Sequence, residues 1–191
     1  MSSTFTVQNV LPHQVAYTTL GFEQPWTMQN YERVGGWQAW RDIIARRPAP
    51  AGLIDEIKIS GLRGRGGAGF NTGLKFSFMP RDDTGQKYLI CNSDEAEPGT
   101  CKDRDLLRFN PHAVLEGLAI ASYCTGASVV YHYLRGEFHH EPFERTQQAT
   151  EEAYRAGLLG AGVLGSDIDV QIHNVLGAGA YIAGEETGLM E

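Results

Sequence analysis

Between Lys87 and Val175, short apolar runs alternate with longer segments of helical period, and this alternation restricts the chain to an α/β layer. Tyr88-Leu89-Ile90-Cys91, ending at Asn92, suits a buried strand. Asn110-Pro111 opens a helix through Val114, Leu115, Leu118, Ala119 and Tyr123, with Asn110 predicted as N-cap and Pro111 at the first helical position. Gly126 stops it. Ser128 to Leu134, rich in Val and Tyr, reads as a second strand. Glu141 to Ala156 reads as a polar-faced helix ended by Gly157, and Ile168 to Val175 as a third strand. Helical crossovers join parallel strands with a right-handed turn, so the sheet is expected to be mainly parallel with flanking helices.

Upstream the pattern is different. Residues 1–30 show no period and read as an extended arm. Gly35 to Arg46 sets Trp37, Trp40, Ile43 and Ile44 at helical spacing before the break at Pro48 and Pro50. Pro50 to Ile59 then reads as a short amphipathic helix with Leu53, Ile54 and Ile57 on one face. We expect two parts: 1–80, an arm with helices and a glycine-rich loop, and 81–191, an α/β domain. A chain of 191 residues can bury a core, and its net charge of −7 disfavours a nucleic-acid binder. No apolar run approaches a membrane span, and the first ten residues lack a secretory signal. Cys91, Cys101 and Cys124 are spaced too widely for a disulfide framework or a Zn or Fe–S ligand set, so a reducing cytoplasm is the default. Glu185 to Glu191 reads as the opening of a helix, from which a polypeptide continuing past Glu191 is expected.

The chemistry concentrates in three loops. Gly61 to Phe78 packs Gly64, Gly66, Gly67, Gly69 and Gly73 around Arg63, Arg65 and Lys75. Such a backbone can approach a flat or phosphorylated ligand, and the cations offset its charge. Gly64, Gly66 and Gly69 satisfy G-x-G-x-x-G, but a helix precedes them where the dinucleotide fingerprint needs a strand. A nucleotide- or flavin-contacting loop of another design is expected, with a plain mobile glycine loop as the bland alternative. The second loop is Asn92-Ser93-Asp94-Glu95-Ala96-Glu97-Pro98-Gly99-Thr100. Its three carboxylates repel one another and call for compensating cations or ligand donors, unless it is simply a solvated acidic turn. The third, Gly177-Ala178-Gly179-Ala180-Tyr181, leads to Gly184-Glu185-Glu186-Thr187, where glycines before a helix start would present backbone N–H groups. The loops that follow the three strands, these last two among them, would gather at the carboxyl ends of the sheet, the usual ligand edge. His132, His139, His140 and His173 lack a spaced metal-ligating partner, and no nucleophile with a base is evident. A bound cofactor is therefore expected to carry any reaction.

Together, Ser60-Gly61-Leu62-Arg63-Gly64-Arg65-Gly66-Gly67-Ala68-Gly69-Phe70, Thr72-Gly73-Leu74-Lys75-Phe76-Ser77-Phe78-Met79-Pro80, Cys91-Asn92-Ser93-Asp94-Glu95 with Glu97-Pro98-Gly99, and Gly177-Ala178-Gly179-Ala180-Tyr181-Ile182 with Gly184-Glu185-Glu186-Thr187 strongly resemble one family. It is the NADH-binding, FMN-containing subunit (51 kDa or F) of respiratory complex I. The resemblance runs from about Trp37 to Glu191 and implies a Rossmann-like sheet and NADH:quinone oxidoreductase activity. It implies that Gly64, Arg65, Gly66, Gly67 and Lys75 line FMN and that Asn92, Asp94 and Glu95 bond it. Tyr181, Gly184 and Glu185 would close the site, and Phe70 and Phe78 would face the adenine ring. Glu97 would sit near the nicotinamide carboxamide, and Glu186 would bond ribose hydroxyls and repel a 2′-phosphate, favouring NADH. No side chain is assigned a catalytic or metal-ligating role. A [4Fe–4S] cluster is expected only in a C-terminal part absent here. The implied partners are the 24 kDa (E-type) and 75 kDa (G-type) iron–sulfur subunits, without nucleic acid or direct membrane insertion. The implied location is peripheral, on the cytoplasmic or matrix side of the inner membrane. Two alternatives remain: the diaphorase subunit of an NAD-reducing hydrogenase or formate dehydrogenase, or a truncated, non-catalytic docking piece.

Overall fold

Three strands of equal length, Tyr88–Ser93 (β1), Val129–Leu134 (β2) and Gln171–Leu176 (β3), pair in parallel in the order β1-β2-β3. Their register is aligned: Ile90 lies beside Tyr131, which lies beside His173. The computed structural model describes residues 15–185 and 188–190. Helices α1 (Met28–Arg33), α2 (Gln38–Arg46), α3 (Pro50–Ile59) and α4 (Thr72–Ser77) precede the sheet. Helices α5 (Lys102–Phe109) and α6 (Pro111–Thr125) join β1 to β2, and α7 (Glu141–Arg155) joins β2 to β3.

Local chemistry sets these bounds. Pro111 occupies the first turn of α6, where no N–H is needed, and Gly126 closes the helix at φ 75°, a left-handed conformation suited to glycine. Asn71 caps α4, its side-chain oxygen accepting the Leu74 N–H at 2.8 Å. Along β2 the alternation is strict enough to sort faces: Val130, His132 and Leu134 are buried while Tyr131 is exposed. The inward residues Val130 and Ile172 pack with Leu115 and Ala119 of α6 and with Ala149 and Ala153 of α7. Trp37, Trp40 and Ile44 belong to the same cluster, so the N-terminal helices share this core.

One buried carboxylate holds those helices in place. Glu116 on α6 accepts the Tyr31 hydroxyl at 2.6 Å, the Trp37 N–H at 2.8 Å and the Trp40 N–H at 3.1 Å. It thereby supplies the N-terminus of α2 with the cap that Trp37, at φ 62°, cannot provide from its own side chain. The Trp40 indole donates to the Leu158 carbonyl at 2.8 Å. The Trp37 indole donates to His112 Nδ1, leaving the proton on Nε2, 3.1 Å from Glu152.

Several elements differ from expectation. The arm is not extended where it is described, because residues 17–27 form turns and bends and Met28–Arg33 is helical. Asn110 makes no side-chain cap; its amide donates instead to the Ala16 carbonyl, while Thr19 donates to the Phe109 carbonyl. The polar junction of α5 and α6 is thus occupied by pinning the arm. The third strand begins at Gln171 rather than Ile168, since Val170 is taken by an isolated antiparallel bridge to Gly160. The expected final helix falls partly on Glu186, Thr187 and Glu191, outside the described residues, whereas Glu185 lies in a bend and Gly188 to Met190 in a turn.

Replacing Glu116 with Ala strands three buried donors and should lower unfolding stability by about 3 kcal/mol, read from urea denaturation. Glu152 gives a pH signature. Burial pushes its carboxyl up, but hydrogen bonds from His112, Gln148 and the Met28 N–H outweigh that and hold it at about 2. Because the folded value lies below the ordinary 4.5, the contribution is complete above that pH and is lost as pH falls towards 2. Acid titration of stability in Glu152→Gln should lack this component.

Candidate functional site

The aligned strand ends deliver their loops to one edge of the sheet. Arg135, one residue past β2, donates to the Glu95 carbonyl of the loop after β1 at 2.6 Å and grips Glu137 through Nε and Nη2 at 2.9 and 3.0 Å. The Asn92 amide donates to the Ala183 carbonyl in the loop after β3 at 3.0 Å. The second and third loops nearly touch: a Cβ on Gly136 would stand 2.6 Å from the Gly177 carbonyl oxygen. Only glycine admits that approach without a shift.

The glycine-rich loop completes the cleft from the other side. Gly64 N–H to Phe70 O and Thr72 N–H to Leu62 O, both 2.9 Å, close its base, and Arg63 reaches the Gly69 carbonyl. Between these ties Gly67 runs at φ 113° and Gly69 at φ 62°, conformations open mainly to glycine. The resulting cleft of about 500 Å³ is lined by Arg65, Gly66, Gly67, Asn92, Asp94, Glu95, Glu97, Thr100 and Gly184, with Lys102 and Asp103 from the start of α5.

The acidic loop eases its own repulsion by giving two of its three carboxylates different partners. Glu95 is buried and accepts the Asp103 N–H at 2.6 Å and the Arg104 N–H at 3.3 Å, with Lys102 Nζ 3.7 Å away. It therefore caps α5, and its side chain serves the fold as well as the cleft wall. Glu97 accepts the Tyr181 hydroxyl at 2.5 Å, which raises the phenol above its ordinary range. Asp94 is left over. Its Oδ2 is buried and has no hydrogen-bond partner among the described residues. Burial pushes its carboxyl up, against the pull of Arg135 and with a further push from Glu137.

Beneath the loop a polar row crosses all three strands. Ser93 Oγ lies 2.9 Å from His132 Nε2, His132 Nδ1 lies 3.2 Å from Asn174 Oδ1, and the Asn174 amide donates to Thr150 and Gln147. Burial brings His132 down to about 4, so the ring is neutral, with Nδ1 donating to Asn174 and Nε2 accepting from Ser93. Ser93 is itself buried and absent from the cleft lining, so the row acts as a brace and not as a nucleophile with its base.

Not every expected residue reaches the cleft wall. Gly64 forms the base of its loop, Lys75 is exposed on α4, and Glu185 sits in a bend beside Gly184. Tyr181 approaches only through Glu97. Phe70 and Phe78 stand together at the foot of the glycine loop, centroids 6.0 Å apart and planes inclined at 51°, both largely exposed. Glu186 lies outside the described residues. At Gly188 a Cβ would be 2.7 Å from the Ile182 carbonyl oxygen, so the space there suits glycine. Conversely, Arg135 and Lys102 were not singled out from sequence. Lys102 opens a helix whose first turn is wholly charged and carries no apolar period, so neither α5 nor its cation is visible there. No group of three or more His, Cys, Asp or Glu among the described residues is arranged to hold a metal ion.

Comparison with known proteins places this cleft in context. The F-type subunit of the NADH-quinone oxidoreductase of Rickettsia bellii (strain OSU 85-389) is 46% identical over 175 residues, covering 92% of this chain and 41% of the relative. Its counterpart in Rickettsia typhi (strain ATCC VR-144 / Wilmington) is 48% identical over 169 residues, covering 88% of this chain and 39% of that one. The chain thus spans about two fifths of the length of these relatives. A crystal structure of an NAD+-reducing [NiFe]-hydrogenase in the H2-reduced state superposes with a TM-score of 0.65 at 38% identity, covering 75% of this chain and 24% of that one. In the air-oxidised state the values are 0.62 and 30%, over 86% and 27%. The profile of the Nuo51 FMN-binding domain matches residues 57–191, which contain the glycine loop, the whole sheet and all three strand-end loops, and the chain belongs to that family.

Proposed function

We propose that this chain forms the FMN-binding and NADH-binding part of an NADH dehydrogenase flavoprotein subunit, the electron-input end of an NADH:quinone oxidoreductase. The observation that supports it most is Asp94 Oδ2, a buried, partnerless acceptor in a cleft walled by glycine backbone. A buried acceptor is costly without a donor, and a ring N–H or ribityl hydroxyl of FMN would supply one. The cleft volume falls within the range of small-molecule sites, and the exposed Arg65 and the half-buried Lys102 offer cations for a phosphate.

On this reading Gly66 and Gly67 let the backbone lie against the ring while Asp94 orients it. Asn92 braces the site, since its amide donates to Ala183 and its oxygen accepts the Asp94 N–H. Glu97 would exchange Tyr181 for the nicotinamide carboxamide, and Phe70 and Phe78 would pack on the adenine. Glu186 is proposed for the ribose hydroxyls, and Lys75 for the phosphate or ribityl side. When bound, FMN supplies acceptance of a hydride from reduced pyridine nucleotide and delivery of single electrons to an iron–sulfur relay. The chain's own residues need move no proton in that transfer; they contribute proximity, orientation and exclusion of water. The proposed partners are the E-type and G-type iron–sulfur subunits, the [4Fe–4S] site belonging to a part of the family's polypeptide not included here. No helix among the described residues is long and apolar enough to cross a membrane, and attachment to the inner membrane is proposed to be peripheral, through those partners. A second reading, the diaphorase subunit of an NAD+-reducing hydrogenase, draws on the 38% identical neighbour.

Flavin binding is the direct test. The purified chain should bind FMN in a fluorescence titration, and NADH added without oxygen should bleach the oxidised band. Failure to bind FMN would remove the reading. Asp94→Ala should weaken FMN by about 10- to 100-fold, the worth of one hydrogen bond to a charged acceptor. Protonation removes that acceptor, so affinity should fall as pH drops through the raised Asp94 pKa, and Asp94→Asn should flatten the dependence. Lys75→Glu should abolish flavin retention; unchanged flavin content would exclude Lys75 from the phosphate role.

A further inference from the structure

One residue of the loop after β2 holds the main chain on both sides of Asp94. The ladder between β1 and β2 runs one bond past the strands, the Arg135 N–H donating to the Ser93 carbonyl at 3.2 Å. From the same residue, Nη1 donates to the Glu95 carbonyl at 2.6 Å. The Asp94 N–H between them is taken by Asn92 Oδ1 at 2.9 Å. With its main chain tied at these three points, Asp94 keeps little freedom beyond rotation of its own side chain.

Arg135 is fixed in turn. Gly136–Phe138 forms a single helical turn that brings Glu137 back to the guanidinium, where its two oxygens accept Nε and Nη2 at 2.9 and 3.0 Å. This planar, two-point grip is open to arginine and not to lysine, and it leaves Nη1 for the Glu95 carbonyl. Gly136 itself abuts the Gly177 carbonyl, so the turn is wedged against the loop after β3. A neutral donor would tether the acidic loop as well; a guanidinium adds charge beside Asp94.

Charged groups reach the surroundings of Asp94 from every side of the cleft. Arg65 comes from the glycine-rich loop, Lys102 and Asp103 from α5, and Glu95 and Glu97 from its own loop. Glu185 follows the lining residue Gly184, and Arg135 and Glu137 complete the set. Of these, Arg135 pulls the Asp94 carboxyl down and Glu137 pushes it up by a smaller amount.

We propose that Arg135 is a positioning residue for ligand binding in this cleft: anchored by Glu137, it clamps the backbone on both sides of Asp94 and holds that carboxylate in place as an acceptor. The ligand's identity rests on the FMN reading, whereas the clamp rests on the hydrogen bonds alone.

Three variants of this chain test it with two readouts: FMN affinity across pH by fluorescence, and titration of the Asp94 carboxyl by carbon NMR in the flavin-free chain. Arg135→Gln should weaken FMN about 10-fold where Asp94 is ionised, the worth of one hydrogen bond from a charged group. Because it deletes the neighbouring cation, it should also raise the pH below which affinity is lost and raise the Asp94 midpoint. Glu137→Gln deletes the like charge and should lower both midpoints. Arg135→Lys keeps the charge without the two-point grip, so it should weaken FMN without the upward move. The FMN phosphate titrates alike in all of them. Loosening of the loop by itself would shift Arg135→Gln and Glu137→Gln the same way, so midpoints that move together, or not at all, overturn the proposal. Unchanged FMN affinity in Arg135→Gln and Arg135→Lys overturns it too. Glu137 is exposed, so Glu137→Gln should fold even if Arg135→Gln does not, and failure of its Asp94 midpoint to fall is decisive alone. If the unaltered chain binds no flavin, the FMN reading falls, and the flavin-free titration still decides the clamp.

Discussion

Ser93, Leu134 and Leu176 end their strands in one register, and everything at the cleft depends on that common level. A slip of one residue in β1 would exchange its faces, turning Asn92 inward and Ser93 outward. Apolar packing of Val130 and Ile172 disfavours such a slip, but polar complementarity makes it worse. Ser93 meets His132 only at this register, and both are buried, so a shifted β1 would leave the Ser93 hydroxyl and His132 Nε2 without each other while His132 and Asn174 stay paired. The brace beneath the loop is therefore a specificity device for the fold.

The acidic loop shows how crowded carboxylates are accommodated without neutralising them all. The α5 N-terminus takes Glu95, an exposed phenol takes Glu97, and the guanidinium of Arg135 lies close enough to Asp94 to draw its pKa down against the effect of burial. Arg135 is the link, because it bonds the Glu95 carbonyl while held by Glu137 on its own loop. Glu137 is solvent-exposed and carries little stability by itself. Its contribution is geometric: it keeps the guanidinium flat against the loop after β1.

The α/β layer was legible because its strands are rich in Val, Ile and Tyr and its helices carry Pro, Gly and periodic apolar residues at the right places. Helix α5 was not, since Lys102-Asp103-Arg104-Asp105 offers no period; Glu95 caps it across a turn, and Leu107 anchors it against Leu134 and Phe138. Helix α4 was hidden by Gly73, whose packing explains the glycine: a Cβ there would lie 2.6 Å from the Lys58 amide nitrogen on α3. Asn110 has an N-cap's composition, yet its amide meets the arm, a tertiary partner that no local pattern encodes. At the cleft, the meeting of the acidic loop and the loop after β3 followed from strand-end logic, whereas the glycine-rich loop follows a helix and its place came from its composition and the family resemblance. Lys75 was read as a charge-offsetting cation from the glycine loop itself, the roles of Phe70 and Phe78 came from family resemblance, and all three stand outside the cleft wall.

Charge within the cleft is graded by depth, and that grading selects how a ligand can lie. Glu95 is buried and Asp94 half-buried with its Oδ2 sealed from solvent, whereas Arg65 is exposed and Lys102 is 37% exposed at its side chain. An anionic group placed inward would meet carboxylates in a region of reduced screening, where repulsion is strongest. The same group placed outward meets cations and water. A ligand with hydrogen-bond donors on a flat ring and a phosphate at the far end has only one favourable direction, ring towards Asp94 and phosphate towards the rim. A purely anionic metabolite can use only the rim cations and leaves the orphaned oxygen of Asp94 without a donor, so that oxygen discriminates between ligand classes more sharply than the basic residues at the mouth.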